Sequence, residues 1–208
     1  SHADGDVETV LLDADIAMYE AKRAGRGRYV MFEPSMHKRA RDNVALENDL
    51  RQALDNDELF VVYQPLVDLG SGALAGMEAL VRWRHPQRGM VSPVEFIPVA
   101  EAGGLIGRIG MFVLRTACAE FMRMQQFLGP DAPPGVSVNL SRAQLRQAGL
   151  AASVLDVLRE FGVAPGQLIL EVTESLAAQD HIVQATLHEI KALGVTLAAL
   201  FEEPPATA

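Results

Sequence analysis

The sequence predicts an α/β fold: a parallel sheet covered by helices and opened by an antiparallel hairpin. Two observations carry this. Residues 60–67 and 74–83 are β-rich and are separated by the turn Gly70-Ser71-Gly72, the pattern of two strands joined by a short glycine-containing loop. From residue 93 to residue 198, helical and strand-like segments then alternate, which implies parallel strands connected by helices.

Taken in order, residues 10–24 read as a helix with Leu12, Ile16, Tyr19 and Ala24 on one side and Asp13, Asp15 and Glu20 exposed. Gly25 and Gly27 end it, Tyr29-Val30-Met31-Phe32 is a short strand candidate, and Pro34 punctuates. A piece this small buries too little surface to stand alone. Residues 36–57 form a second helix in which Val44, Leu46, Leu50 and Leu54 give one narrow stripe. After the hairpin come helices over 93–102 and 109–127, then a Pro/Gly-rich loop over 129–135. Strand 136–140, helix 141–161, strand 168–172, helix 177–193 and a strand from Val195 follow.

Composition narrows the function classes. The chain of 208 residues is 49% hydrophobic and 22% charged, ordinary for a globular protein. Its net charge is -9 with no basic block, which argues against a DNA or RNA polymer as partner and leaves room for one small phosphorylated ligand. The single cysteine, Cys118, lies in an apolar run and reads as a buried structural thiol. No run of about 18 apolar residues exists to span a membrane, and no signal peptide opens the chain. The first residue is not Met, so the start reads as a cut point, and an anchor upstream stays open. Trp83 reads as a packing anchor, His85-Pro86 as a turn, and Met111, Met122 and Met124 as core gap-fillers. His181 and His188 fall on an exposed or partly exposed helix face.

Three polar residues recur at the ends of apolar strands: Glu78, Asn139 and Glu171. An unpaired carboxylate buried in a strand is costly, so each asks for a partner. If these strands end at one face of a barrel, their C-terminal ends supply an active site. Two carboxylates and an amide oxygen are hard donors suited to Mg²⁺ or Mn²⁺. Singly, each has a structural explanation: Asn139 could cap a helix near Ser141, and Glu171 could form an ion pair. Together they favour a metal site. Arg82, four residues after Glu78, suits a phosphate.

The segment Met77-Glu78-Ala79-Leu80-Val81-Arg82-Trp83, with Val136-Ser137-Val138-Asn139-Leu140-Ser141 and Glu171-Val172-Thr173-Glu174, resembles the EAL domain, the cyclic-di-GMP phosphodiesterase family. The stretch from Pro93 to Glu101 is also similar to that family. The resemblance implies an EAL-type TIM (β/α) barrel, with Glu78, Asn139 and Glu171 as metal ligands. It further implies that Glu78, Glu171 and Glu174 serve catalysis, Glu174 by ordering a neighbouring loop. Gln64, Leu80 and Arg82 would bind the nucleotide, with Arg82 on a phosphate. Residues 13–29 resemble the last helix and strand of a GGDEF domain, the diguanylate cyclase family, without its signature loop, so no cyclase activity is expected. Lys22 and Arg26 match positions near nucleotide phosphates in that resemblance, but a solvated basic helix end complementing the dipole is the better reading.

The expected organisation is therefore a GGDEF remnant over 1–35, a linker helix over 36–58, the N-terminal part of an EAL domain over 59–198, and a divergent tail over 199–208. After Ala198 the EAL pattern calls for two adjacent aspartates, whereas this chain reads Ala199-Leu200-Phe201-Glu202-Glu203-Pro204-Pro205. Glu202 and Glu203 are not assigned the missing role. The expectation is an incomplete barrel of a cytoplasmic cyclic-di-GMP signalling protein, open to homodimer formation. Its own hydrolysis to linear pGpG should be negligible. A non-catalytic cyclic-di-GMP receptor and a non-functional fragment are the alternatives.

Overall fold

Helical periodicity builds the first of two units, Ser1–Leu50 and Arg51–Ala208. The computed structural model describes residues 7–23, 29–173 and 180–200. Helix α1 spans Val7–Arg23 and α2 spans Pro34–Ala53. The inward line of α1 is Asp13, Ala17 and Ala21, while Leu12 is exposed. The expected Leu12 stripe is thus displaced, because the Asp13 side is the one that meets α2: His37 Nε2 stands 2.7 Å from Asp13 Oδ1. The Phe32 ring meets His37 edge-on at 5.1 Å. Residues 29–33 have no regular structure, so the expected strand at 29–32 does not form. A strand is held by a hydrogen-bonded neighbour, and none of the described strands pairs there. On α2, Leu46, Leu50 and Ala53 are buried and Val44 is exposed. At about 100° per residue, Val44 points roughly 200° away from Leu46, so it never belonged to that stripe.

The second unit opens with the predicted hairpin, β1 (Leu59–Val67) and β2 (Leu74–His85). Its antiparallel register runs from Leu59 opposite Trp83 to Val67 opposite Leu74, with an irregularity at Leu66/Val67. The His85-Pro86 turn is present and returns the chain as a short strand, β3 (Gly89–Val91), against the end of β2. His85 Nδ1 accepts from the backbone N–H groups of Gln87 and Arg88 at 3.0 and 3.2 Å, which fixes that turn.

Helices α3 (Pro93–Ala102) and α4 (Ile106–Leu128) lead to β4 (Val136–Asn139). Pro93 suits the first turn of α3, where its missing N–H would have no helical partner. The predicted helix over 141–161 is in fact two: α5 (Arg142–Leu145) and α6 (Leu150–Phe161). Gly149 takes the left-handed conformation at φ 80°, a conformation glycine adopts without steric cost, and the chain turns there. Strand β5 (Leu168–Thr173), helix α7 (His181–Ala192) and strand β6 (Thr196–Leu200) complete the described residues.

The sheet order is β1-β2-β4-β5-β6, with β3 beside β2. The pairs β2/β4, β4/β5 and β5/β6 are parallel. This is the predicted α/β arrangement, an antiparallel hairpin followed by parallel strands with helical crossovers. The core lies between sheet and helices, where Trp83, Phe96, Phe121, Ile109, Val136, Val138, Leu168 and Leu170 are all but sealed from solvent. Trp83 meets Phe96 edge-on at 5.7 Å. Cys118 is buried among them, and burial pushes its thiol up to about 12, so it stays protonated as a structural residue. His181 and His188 are exposed on α7.

Candidate ligand and metal site

Strand periodicity sorts β2 into two faces. Met77, Ala79 and Trp83 are buried, whereas Glu78, Leu80 and Arg82 alternate with them and are half-buried. Glu78 does not sit at the end of its strand as expected, since β2 continues to His85. It sits near the end of the parallel ladder, whose last β2/β4 rung is Ala79 opposite Val138. Beyond that rung, Leu80 and Arg82 line a cavity.

The register then assembles the polar set. Glu78 stands opposite Ser137, and Asn139 stands opposite Glu171. Asn139 Nδ2 donates to Glu78 Oε1 at 2.7 Å. The Leu140 N–H donates to the Glu171 carbonyl at 2.8 Å, extending β4/β5 pairing by one step. Glu171 is buried. Its carboxyl is held above the ordinary glutamate range, first by burial and then by the nearby charge of Glu78, with the Ser137 hydroxyl pulling the other way. Ser137 Oγ lies buried beside Glu171 yet completes no hydrogen bond of full geometry, so its pull offsets the other two only in part.

Burial and the nearby Glu78 charge both work against the ionised form of Glu171, and a positive charge beside it would relieve that. Asn139 spends an amide N–H on Glu78, which leaves its Oδ1 lone pairs available to ligate a cation. Two carboxylates with one amide oxygen, and an orphaned hydroxyl alongside, fit a hard divalent cation that keeps several waters. Among the described residues no group of three or more His, Cys, Asp or Glu could hold a metal, so a site here depends on the asparagine.

Leu80, Arg82 and Asn139 line a cavity of about 220 Å³ with Ser141 and Gln144, its far wall apolar and drawn from α3 and α4. Arg82 Nη1 donates to the Val81 carbonyl at 2.8 Å. Gln64 stands opposite Glu78 across the hairpin and is exposed; it does not line this cavity. Glu174, Lys22's side chain and Arg26 lie outside the described residues. Sequence reasoning passed over Ser137 and Gln144. The rule that singled out Glu78, a polar residue within an apolar strand, would have found Ser137; the Ser141-x-x-Gln144 spacing of a capping box would have found Gln144.

The EAL domain family model matches residues 47–199. The chain belongs to the EAL domain family. It is 43% identical over 196 residues to the bifunctional diguanylate cyclase/cyclic di-GMP phosphodiesterase MucR of Pseudomonas aeruginosa, covering 92% of this chain and 28% of that protein. It is 43% identical over 192 residues to an uncharacterized signaling protein of Caulobacter vibrioides, covering 92% of this chain and 23% of that protein. The chain thus spans about a quarter of the length of these curated relatives. Among solved structures it resembles the PaMucR phosphodiesterase in complex with c-di-GMP, at 43% identity and TM-score 0.68, covering 74% of this chain and 62% of that one. It also resembles the EAL enzyme Bd1971 in its cAMP- and cyclic-di-GMP-bound form, at 25% identity and TM-score 0.72, covering 95% and 52%. The EAL tripeptide of this chain is Glu78-Ala79-Leu80, and its first residue is the carboxylate held by Asn139.

Proposed function

We propose that this chain is the EAL segment of a tandem GGDEF–EAL protein of cyclic-di-GMP signalling, working in the cytoplasm, and that it binds cyclic-di-GMP. Its own residues divide the task. Glu78, Asn139 and Glu171 hold a Mg²⁺ or Mn²⁺ ion, Arg82 pairs with a phosphate, and Leu80 and Gln64 contact the nucleotide. Glu174 orders the loop after β5. A cation bound there supplies activation of water and neutralisation of phosphate charge for hydrolysis of one phosphodiester bond to linear pGpG.

The observation that carries this reading is the juxtaposition of Glu78, Asn139 and Glu171, with a hydrogen bond of 2.7 Å between the first two and a raised carboxyl on the third. The likeness to MucR and to its c-di-GMP complex supports the choice of ligand. Likeness over 92% of the chain to a protein named as a cyclase and a phosphodiesterase supports a GGDEF remnant at the start. The three donors would fill half of a six-oxygen shell, so hydrolysis by this chain alone should be negligible and binding is its measurable property.

The test is thermal unfolding with and without cyclic-di-GMP, in the presence of Ca²⁺ to slow any turnover. Saturating ligand at a hundredfold excess over Kd should stabilise the fold by about 2.7 kcal/mol, and Arg82→Ala should lose most of that shift. An unmoved transition, or an equal shift in Arg82→Ala, would sink the reading.

A further inference from the structure

We infer that Gln144 is a positioning residue for the Glu78, Asn139 and Glu171 set, and that Gly110 of α4 is the seat that holds it. Helix α5 has four residues, too short to be held by its own helical hydrogen bonds. Its place must come from side chains. Ser141 Oγ accepts from the Gln144 backbone N–H at 3.3 Å, and Gln144 Oε1 accepts from the Ser141 N–H at 3.1 Å. This reciprocal cap fixes the backbone two residues after Asn139.

Gln144 does more than close a cap. It is 4% exposed, and its amide lies directly on Gly110, where a Cβ would come 1.8 Å from Nε2. One turn earlier, a Cβ on Gly107 would come 2.4 Å from Gln147 Nε2. Glycine weakens a helix interior, so Gly110, past the first turn of α4, asks for a packing reason, and the Gln144 amide supplies it. The two residues that follow Asn139 are therefore both pinned: Leu140 N–H to the Glu171 carbonyl at 2.8 Å, and Ser141 through Gln144 to α4. Immediately before those pins, Asn139 Nδ2 donates to Glu78 Oε1 at 2.7 Å. If Gln144 leaves its seat, the β4–α5 turn loses one anchor and the Asn139 amide moves with it.

The consequence for cation binding rests on the proposed function; the consequence for Asn139 does not. The experiment therefore reads both on the full chain: the ¹⁵N side-chain amide resonance of Asn139, and affinity for Mn²⁺ alone by water-proton relaxation. Gln144→Ala should shift the Asn139 resonance and weaken Mn²⁺ roughly tenfold or more, the usual scale for groups that orient ligands, while unfolding stays cooperative. Gly110→Ala should act in the same direction, because its methyl evicts the Gln144 amide. The double variant should be no worse than Gln144→Ala, since the evicted group is already gone. Gln144→Glu, which keeps the cap acceptor, should fall between wild type and Gln144→Ala and serves if the alanine variant does not fold. An unmoved Asn139 resonance in the Gln144 variants, or independent addition of the Gly110 and Gln144 effects, would overturn the inference. A wild-type chain that takes no Mn²⁺ would remove the metal reading instead, with the Asn139 resonance still deciding the role of Gln144.

Discussion

The two faces of β2 differ although their residues alternate along one strand. On one face Met77, Ala79 and Trp83 are 3%, 2% and 0% exposed. On the other, Glu78, Leu80 and Arg82 stay half-buried, and two of them line or border the cavity beside Asn139. Period-two alternation lets a single strand serve packing with one set of side chains and ligand chemistry with the other. The lesson is that substitutions one position apart should fail in different ways: the first set through stability, the second through binding.

The largest effect should come from the packed face. Trp83 is fully buried, meets Phe96 edge-on, and donates its indole N–H to Glu58 Oε2 at 3.1 Å. Trp83→Ala should cost about 3–5 kcal/mol, measured as a lower urea midpoint, with any loss of ligand affinity tracking the loss of folded protein. If the variant stays folded and loses only ligand binding, the division between the two faces is wrong.

The opposite failure should appear at Glu171, where β5 meets the same polar set. Glu171→Gln removes one of two neighbouring negative charges, so stability at neutral pH should hold or rise while Mn²⁺ affinity falls by roughly tenfold or more. The pH dependence follows from the direction of the shift. Because burial and the charge of Glu78 raise the folded-state value, the folded chain keeps a proton that the unfolded chain has already released. Across the window from the ordinary glutamate value up to the raised one, stability should therefore fall as pH rises and recover as pH is lowered. Cation binding should run the other way, weakening as pH drops into that window, since a proton competes for the same oxygens. Urea midpoints and Mn²⁺ titrations across pH, compared between wild type and Glu171→Gln, read both slopes; identical slopes in the two proteins would deny Glu171 this role.

Much of this organisation was legible in the residues because it depends on local pattern. The hairpin is read from β-rich runs around Gly70-Ser71-Gly72, with strand bounds within two residues of the structure, and α3 from Pro93 to Ala102 with bounds that match it. Glu78, Asn139 and Glu171 stand out because a polar group in an apolar strand is costly without a partner, and the β4/β5 register does place Asn139 opposite Glu171. What was not legible depends on what lies across space. Gly149 could have continued a helix, and it turns the chain instead. Tyr29 to Phe32 has strand character without a strand beside it. The Ser141-x-x-Gln144 spacing marks a cap, but the seat that Gly110 gives the Gln144 amide depends on their contact across space.

The smallest effect should fall on the solvent side of α4, the helix whose inner side seats Gln144. Arg108 Nη2 stands 2.8 Å from Asp55 Oδ1, with the two side chains 56% and 70% exposed. Water screens such a pair and ordering two side chains opposes it, so it should contribute only about 0.2–1 kcal/mol. That contribution should shrink further at 1 M salt, where the screening length is about 3 Å. Arg108→Ala should thus lower the urea midpoint slightly at low salt and hardly at all at high salt, with cyclic-di-GMP and Mn²⁺ affinities unchanged. Its neighbours in sequence, Gly107 and Gly110, touch the amides of Gln147 and Gln144, so the contrast tests direction as much as size. A strong binding defect in Arg108→Ala would mean that the position of α4 itself, rather than the Gly110 seat on it, controls the Asn139 turn.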